Sequence, residues 1–174
     1  MRTYLVTGAA GLVGAETVSQ LLAQGDTVVA VDNLNAYYDQ RLKRYRLARL
    51  KALAEAPDAD AATTLDPESV GEAFTAGRLT YQTLDLEDRE AVTSLFAQYA
   101  FDGILNLAAR AGVRYSMENP SIYFTTNVNG LLHLLEAMKD HGVTKLVQAS
   151  TSSLYAGQEP PFTEELPVNR PISP

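Results

Sequence analysis

Three glycines at every third residue follow the first apolar run of this chain and could hold a phosphate group. The apolar run covers residues 4–6, and Gly8, Gly11 and Gly14 come directly behind it. A strand that enters a helix through such a turn brings backbone N–H groups and the positive end of the helix dipole together. Glycines at this spacing also close ordinary turns, so the triplet needs support from its surroundings.

That support comes from a carboxylate at the end of the second apolar run. The run covers residues 27–31, and Asp32 follows it. A carboxylate at this place can accept hydrogen bonds from both ribose hydroxyls of an adenosine, and it repels a 2′-phosphate. The pattern therefore predicts binding of NAD rather than NADP, with the pyrophosphate at the glycine turn, which includes Leu12 and Val13.

The elements that must position these residues alternate between short apolar runs and helical patterns, as in βαβ units. We predict strands at residues 2–7, 27–32, 79–84, 102–107 and 145–150, and helices at residues 11–24, 87–99 and 119–141. Right-handed crossovers then give the strand order 3-2-1-4-5, a doubly wound parallel α/β sheet of the Rossmann type. The whole chain, residues 1–174, is predicted to be one NAD-binding domain.

Apolar periodicity also predicts which helix residues face the core. In the first helix these are Val13, Val18, Leu21 and Leu22; in the second, Val92, Leu95 and Phe96; in the long third helix, Val128, Leu131, Leu132, Leu135 and Met138.

Two stretches depart from the alternation. Residues 41–51 hold six basic side chains separated by leucines, which favours a solvated helix face, although such a stripe could also steer phosphates. Residues 55–72 contain six acids and no base. We therefore predict a surface insertion over residues 55–77 that is poorly ordered in part and carries no chemistry.

Composition limits the class of protein. The chain has 46% hydrophobic and 20% charged residues, which is ordinary for a soluble globular domain. Its net charge of −7 argues against a nucleic-acid or membrane-surface partner. There is no cysteine, and the two histidines lie in no metal-ligand spacing, so no metal site is expected. No signal peptide or apolar membrane-spanning run is evident, and we expect a cytoplasmic protein.

The motifs resemble those of the extended short-chain dehydrogenase/reductases, in the NAD-dependent epimerase/dehydratase family. Residues 7–14 resemble the Thr-Gly-x-x-Gly-x-x-Gly of these enzymes. The resemblance implies further cofactor contacts at the ribose, the adenine, the loop after the fourth strand and the active-site backbone. The residues so matched are, in that order, Asp32 and Asn33; Asp85 and Leu86; Leu107, Ala108 and Ala109; and Asn127.

Finer resemblance points to nucleotide-sugar epimerases, closest to the UDP-glucuronate 4-epimerases. Residues 33–39 and 111–116 are similar to segments typical of that subgroup. Residues 149–155 resemble its active-site Ser/Thr segment, which implies a catalytic hydroxyl at Thr151 and a cofactor contact at Ser150. Arg114 weighs slightly towards an acidic sugar, although it is as well explained as a surface or structural arginine.

The two serines after Thr151 bear on the reaction class. Related dehydratases and decarboxylases carry a carboxylate there, whereas Ser152 and Ser153 are neutral donors without a useful acid–base pKa. Hydroxyl groups can instead hydrogen-bond a substrate carboxylate, and epimerisation needs only reversible hydride transfer at one carbon. Alternatively, a Ser/Thr-rich strand end satisfies only the local backbone.

The mechanism implied by the resemblance needs a tyrosine and a lysine that this chain lacks as a pair. NAD+ takes a hydride from C4 of the sugar while a tyrosine phenolate removes the O4 proton, and the 4-keto sugar turns over before the hydride returns. In the family, a lysine follows that tyrosine by four residues, shortly after a Pro-x-Ser segment. Here Tyr155 is followed at that spacing by Glu159, and the last residues are Pro-Ile-Ser-Pro.

We therefore expect the chain to be the NAD-binding part of a longer UDP-sugar epimerase, incomplete at its C-terminus and inactive alone. Its marginal stability would favour association, and a homodimer through residues 119–141 would be weakened by a missing partner helix. Three alternatives stay open: a fragment of a UDP-glucose/galactose 4-epimerase, a non-catalytic NAD-binding module, and a truncation product that binds nothing well. Affinity for NAD+ distinguishes the last from the others.

Overall fold

A six-stranded, mostly parallel sheet forms the centre of the computed structural model, which describes residues 1–56, 65–170 and 172–173. The spatial order is β3-β4-β2-β1-β5-β6. The strands are β1 (Thr3–Thr7), β2 (Thr27–Asp32), β3 (Ala73–Ala76), β4 (Leu79–Thr83), β5 (Gly103–Asn106) and β6 (Leu146–Gln148). All but β3 run parallel, which confirms the five predicted strands and their order. The carboxyl ends of the parallel strands therefore lie at one edge of the sheet.

The antiparallel edge strand β3 was not predicted. It pairs with β4 in the register Ala73↔Gln82 to Ala76↔Leu79, and the rings of Phe74 and Tyr81 lie 5.4 Å apart. The end of the segment at residues 55–77 is thus a strand, because the edge of the sheet offers backbone partners to any extended segment that reaches it. Residues 57–64 of the same segment lie outside the described residues.

Helices cover both faces of the sheet. They are α1 (Leu12–Ala23), α2 (Gln40–Glu55), α3 (Arg89–Gln98), α4 (Val113–Glu118), α5 (Pro120–Tyr123) and α6 (Gly130–Asp140), with short 3-10 turns at Pro67–Ser69 and Ser152–Tyr155. Side chains of α1 and α2 pack on one face of the sheet, and those of α3 and α6 pack on the other. Every helix in the described part of the chain is too short or too polar to span a bilayer.

The predicted core faces of the first two helices are largely confirmed. Val18 and Leu22 of α1 are buried, as are all three predicted residues of α3. Val13 is an exception, with 64% of its surface exposed. It lies in the first turn of α1, where the helix begins beside the edge of the sheet rather than over it.

The long helix buries only part of the predicted face. Val128, Leu132 and Leu135 are between 44% and 50% exposed, whereas the predicted Met138 is buried, as is Leu134, which was not predicted. The helix is continuous from α5 into α6 but passes through a π-helical segment, Phe124–Asn129. Two small residues, Gly130 and Ala137, lie on the same buried face and allow the helix backbone to approach its neighbours. A Cβ added to Gly130 would lie 3.0 Å from the Cβ of Leu86.

Candidate dinucleotide-binding cleft

A cleft of about 350 Å3 opens at the carboxyl ends of β1, β2, β4 and β5. Ligands of open parallel α/β sheets bind at this edge, where neighbouring strand connections diverge to opposite faces. All but one of the predicted cofactor residues line the cleft: Gly8, Gly11, Leu12, Val13, Gly14, Asp32, Asn33, Asp85, Leu86, Leu107, Ala108, Ala109 and Ser150. Residues far apart in the chain thus meet at one site.

The turn between β1 and α1 is built so that only glycine fits at two of its corners. Gly8 has φ +65°, and a Cβ there would lie 2.8 Å from the backbone of Leu107 and Ala108. A Cβ on Gly14 would lie 2.1 Å from the carbonyl oxygen of Gly8. The start of α1 is therefore held tightly against the end of β1, and its N-cap, Gly11, supplies no side-chain hydrogen bond to the first turn.

Thr7 joins the two strand ends that flank the cleft. Its side chain is fully buried, and its Oγ1 accepts hydrogen bonds from the backbone N–H of Leu107 (3.2 Å) and Ala108 (3.1 Å). The same hydroxyl donates to the side-chain oxygen of Asn106. The loop after β5 is thus fixed relative to the glycine turn by one side chain.

Asp32 places a buried carboxylate beside the glycine turn. Its Oδ2 accepts a hydrogen bond from the N–H of Ala10 (3.1 Å), and its Oδ1 accepts one from the N–H of Leu34 (2.8 Å). Leu34 has a positive φ of 49°, unusual for a residue with a side chain. The backbone on both sides of the carboxylate therefore fixes its orientation at the cleft.

Lys43 also lines the cleft, although no motif in the sequence singles it out. Its ammonium lies 3.3 Å from Asp32 Oδ1, and both side chains are less than a tenth exposed. Two more bases of α2 donate to backbone carbonyls, Arg44 to Val70 and Arg46 to Ala10. The prediction of a solvated basic face is therefore wrong for this part of α2, because the helix crosses the sheet edge with these side chains pointing inward.

The segment after β4 supplies a second carboxylate on the same side. Asp85 Oδ2 accepts a hydrogen bond from the side-chain amide of Asn33 at 2.9 Å, and its Oδ1 accepts one from the N–H of Glu87. Leu86 is 5% exposed and packs in the core beneath the lining. The ends of β2 and β4 are thus tied together by polar side chains at the cleft.

Asn127 does not line the cleft but holds one of its walls. Its amide makes two hydrogen bonds to the backbone of Arg110, accepting from the N–H at 2.8 Å and donating to the carbonyl at 3.1 Å. Arg110 is a lining residue, and its Nε donates to Thr126 Oγ1 at 3.0 Å. The asparagine therefore orders the loop after β5, and Arg110 adds a cation that the sequence analysis did not identify.

Tyrosines join the two loops at the mouth of the cleft. Tyr37 and Tyr38 line it, and the hydroxyl of Tyr37 packs against Gly112, which has φ +108°. Tyr123 donates to the carbonyls of Ala111 and Gly112 at 2.9 and 3.0 Å, and burial raises the pKa of its hydroxyl. These rings connect the loop after β2 with the loop after β5.

The predicted catalytic and substrate residues are placed differently. Thr151 is exposed and caps the 3-10 turn Ser152–Tyr155, its Oγ1 accepting from the N–H of Ser153 at 3.1 Å. Ser152 and Ser153 lie in that turn, and Arg114 is exposed on α4. None of the four residues lines the cleft. Among the described residues, no group of three or more His, Asp or Glu side chains could hold a metal ion.

Comparison with known proteins agrees with this architecture. Over 174 residues the chain is 43% identical to the UDP-glucuronate 4-epimerase of Thermodesulfobacterium geofontis, covering all of this chain and 47% of that protein. It superposes on UDP-glucose 4-epimerase of Thermus thermophilus in complex with NAD with a TM-score of 0.68 and 31% identity, covering 98% of this chain and 45% of that one. The enzyme of Bifidobacterium longum, in complex with NAD+ and UDP, gives a TM-score of 0.70 at 26% identity, over 95% and 42%.

The chain thus spans less than half the length of these relatives. The sequence model of the NAD dependent epimerase/dehydratase family matches residues 4–174. The match covers almost the entire chain, glycine turn and carboxylate included, and the chain belongs to the NAD dependent epimerase/dehydratase family.

Proposed function

We propose that this chain is the NAD-binding part of a nucleotide-sugar 4-epimerase that interconverts UDP-glucuronate and UDP-galacturonate. The observation that carries the proposal is the meeting of the glycine turn and the buried Asp32 carboxylate in one cleft at the sheet edge. These are the two groups by which parallel α/β folds hold the pyrophosphate and the adenosine ribose.

The residues present fit such a cofactor. A side chain at Gly14 would overlap the Gly8 carbonyl, and without one the start of α1 stays close to the strand. Leu12 and Val13 lie in the first turn of α1, where no side-chain cap occupies the backbone N–H groups. Both residues are exposed, at 74% and 64%, so this turn is accessible to a ligand. The Asp32 carboxylate retains acceptor capacity beyond its hydrogen bonds from the protein.

NAD supplies a reversible hydride acceptor when bound, which is the redox chemistry that inversion at a sugar carbon requires. The chain's own part is to bind and orient. Thr7 and Asn127 hold the loop after β5 in place, and the carboxylates bind the adenosine end. Thr151 is proposed to hydrogen-bond the reacting oxygen. Its Oγ1 accepts from the Ser153 N–H, so its own O–H remains available to donate to a substrate.

The sugar is proposed from the relatives. The identity of 43% with a UDP-glucuronate 4-epimerase, together with residues 33–39 and 111–116, favours an acidic sugar. UDP-glucose is the second candidate, supported by the structural similarity to the NAD complex from Thermus thermophilus at 31% identity. The proposed parent enzyme dimerises through the helix at residues 119–141, whose exposed Val128, Leu132 and Leu135 support this contact.

We expect these 174 residues to bind NAD+ without turning over a sugar nucleotide, because no tyrosine is followed four residues later by a lysine. The test incubates the chain with NAD+ and either UDP-glucuronate or UDP-glucose and separates the products by anion-exchange chromatography. Saturation-transfer NMR on NAD+ in the same samples reports binding. Formation of an epimer would contradict the expected inactivity, and absence of NAD+ binding would contradict the proposed function itself.

A further inference from the structure

The ion pair between Lys43 and Asp32 stands at the part of the cleft that recognises the cofactor. Lys43 Nζ lies 3.3 Å from Asp32 Oδ1, with the two side chains 8% and 6% exposed, and both residues line the cleft. Lys43 comes from α2, a helix outside the strand–turn–helix unit that holds the pyrophosphate. The ribose carboxylate of this chain is therefore not an isolated charge.

The hydrogen-bonding capacity of the pair is only partly used inside the protein. An ammonium group has three donors, and Asp32 takes one of those of Lys43. The lining carries two cations among the described residues, Lys43 and Arg110, and two carboxylates, Asp32 and Asp85. The charge of Asp32 is thus balanced by a cation in direct contact with it.

This balance changes what Asp32 can exclude. A lone buried carboxylate repels a phosphate strongly, since charges interact more strongly where solvent screening is weak. A lysine within 3.3 Å of that carboxylate offsets the repulsion and also offers donors to a nearby substituent. Discrimination against a 2′-phosphate then depends on both residues.

We propose that Lys43 is a specificity-determining residue of this cleft, whose ammonium faces the 2′ position of the adenosine ribose and makes the site more tolerant of NADP than Asp32 alone would allow. The inference rests on the proposed function, because it concerns how the same cleft selects its dinucleotide. A purely structural ion pair would stabilise α2 against the sheet without affecting the choice between the two cofactors.

The first test measures the dissociation constants of NAD+ and NADP+ for the 174-residue chain by calorimetry. Lys43→Met is compared with Arg49→Met, which removes the same charge from the exposed side of the same helix. We expect Lys43→Met to raise the ratio of the NADP+ dissociation constant to the NAD+ dissociation constant by about tenfold or more, which is a stronger preference for NAD+. Arg49→Met should change that ratio by less than about twofold, as a distant solvated charge would.

Lys43→Met leaves the buried Asp32 carboxylate without its counter-ion, and that variant could fail to fold. A second pair of variants, in which residue 32 is uncharged, provides a test in that case. Asp32→Asn retains the lysine beside a neutral amide, and D32N/K43M removes both charges. When Lys43 is removed from the Asp32→Asn variant, we expect the dissociation constant of NADP+ to rise by about tenfold and that of NAD+ by less than about threefold. Circular dichroism checks that each variant is folded.

The outcomes separate the two proposals. A ratio that does not change in Lys43→Met, or equal weakening of both cofactors between Asp32→Asn and D32N/K43M, would overturn the role of Lys43 and leave the proposed function standing. A folded wild-type chain that binds neither cofactor would overturn both.

Discussion

The adenosine side of the cleft, around Asp32, and the turn after β6 that carries Thr151, the hydroxyl side, differ in how their polar side chains are held. On the adenosine side, Asp32 is 7% exposed and is bonded to groups 22 residues before it and 11 residues after it. On the hydroxyl side, Thr151 is exposed and bonds two residues away. The first side is fixed by packing between distant segments, whereas the second is shaped only by its own turn.

The same contrast extends to the apolar surface. β1 and β2 bury their apolar side chains against helices on both faces. By contrast, Val147 of β6 is 60% exposed, and Phe124 of the π-helical segment is 61% exposed. The strands that carry the glycine turn and Asp32 are therefore covered on both faces. The half next to the proposed chemistry retains surface on which a further element or a second copy could pack.

The largest expected effect lies at the glycine turn. Gly8→Ala should lower the free energy of unfolding by about 4 kcal/mol and abolish NAD+ binding, because the new Cβ would strain a positive φ and overlap immovable backbone. The matched control is Gly142→Ala, with φ +71° and no atom within 4 Å of the added Cβ, which should cost about 1 kcal/mol. Urea unfolding followed by circular dichroism measures both, and equal costs would show that the turn is not tightly packed.

The next effect tests which face of the long helix is buried. Leu134→Ala should cost about 3 kcal/mol, because that side chain is 0% exposed on the side of the packed core. Leu132→Ala, at 50% exposure on the same helix, should cost less than about 1 kcal/mol. Thermal and urea unfolding provide the comparison, and a reversed order would restore the face that periodicity predicted.

A smaller effect is expected at the loop after β5, which Asn127 holds in place. Asn127→Ala removes both hydrogen bonds to the backbone of Arg110 and should cost about 2 kcal/mol in stability. It should also weaken NAD+ binding, since the loop after β5 loses its support. Ser121→Ala, which removes an exposed hydroxyl from α5, provides the control. An unchanged dissociation constant for NAD+ in Asn127→Ala would exclude a positioning role.

The smallest effect is expected on the hydroxyl side. Thr151→Val removes the cap of a short 3-10 turn and should cost less than about 1 kcal/mol. NAD+ affinity should stay within about twofold of the wild type, because Thr151 is not a lining residue. A strong loss of NAD+ affinity in this variant, measured by calorimetry, would mean that the two sides are not independent.

The sequence predicts the adenosine side well because its signals are local. Gly8, Gly14 and Asp32 belong to one strand–turn–helix–strand unit, and their spacing alone brings them to one edge of the sheet. Lys43 could not be found in this way. Its burial depends on where α2 crosses the sheet edge, and nothing in the local sequence distinguishes it from the other five basic residues of the stretch at residues 41–51.

Two other differences have the same origin in tertiary packing. In the long helix, periodicity selected Met138 correctly but missed Leu134, because the buried face also includes the small residues Gly130 and Ala137, which give little apolar signal. β3 is short and follows an acidic segment, so its composition indicates a loop, and only the free edge of β4 makes it a strand. Local pattern identifies the elements, but the contacts between them decide the buried face.

The most direct measurement of the central claim is a calorimetric titration of the 174-residue chain with NAD+, beside its Asp32→Ala variant. We expect saturable binding at one site in the micromolar range, weakened about tenfold or more by the variant because the ribose hydroxyls lose their acceptor. A folded wild-type chain that shows no saturable binding, or a folded variant that binds as tightly as the wild type, would contradict it.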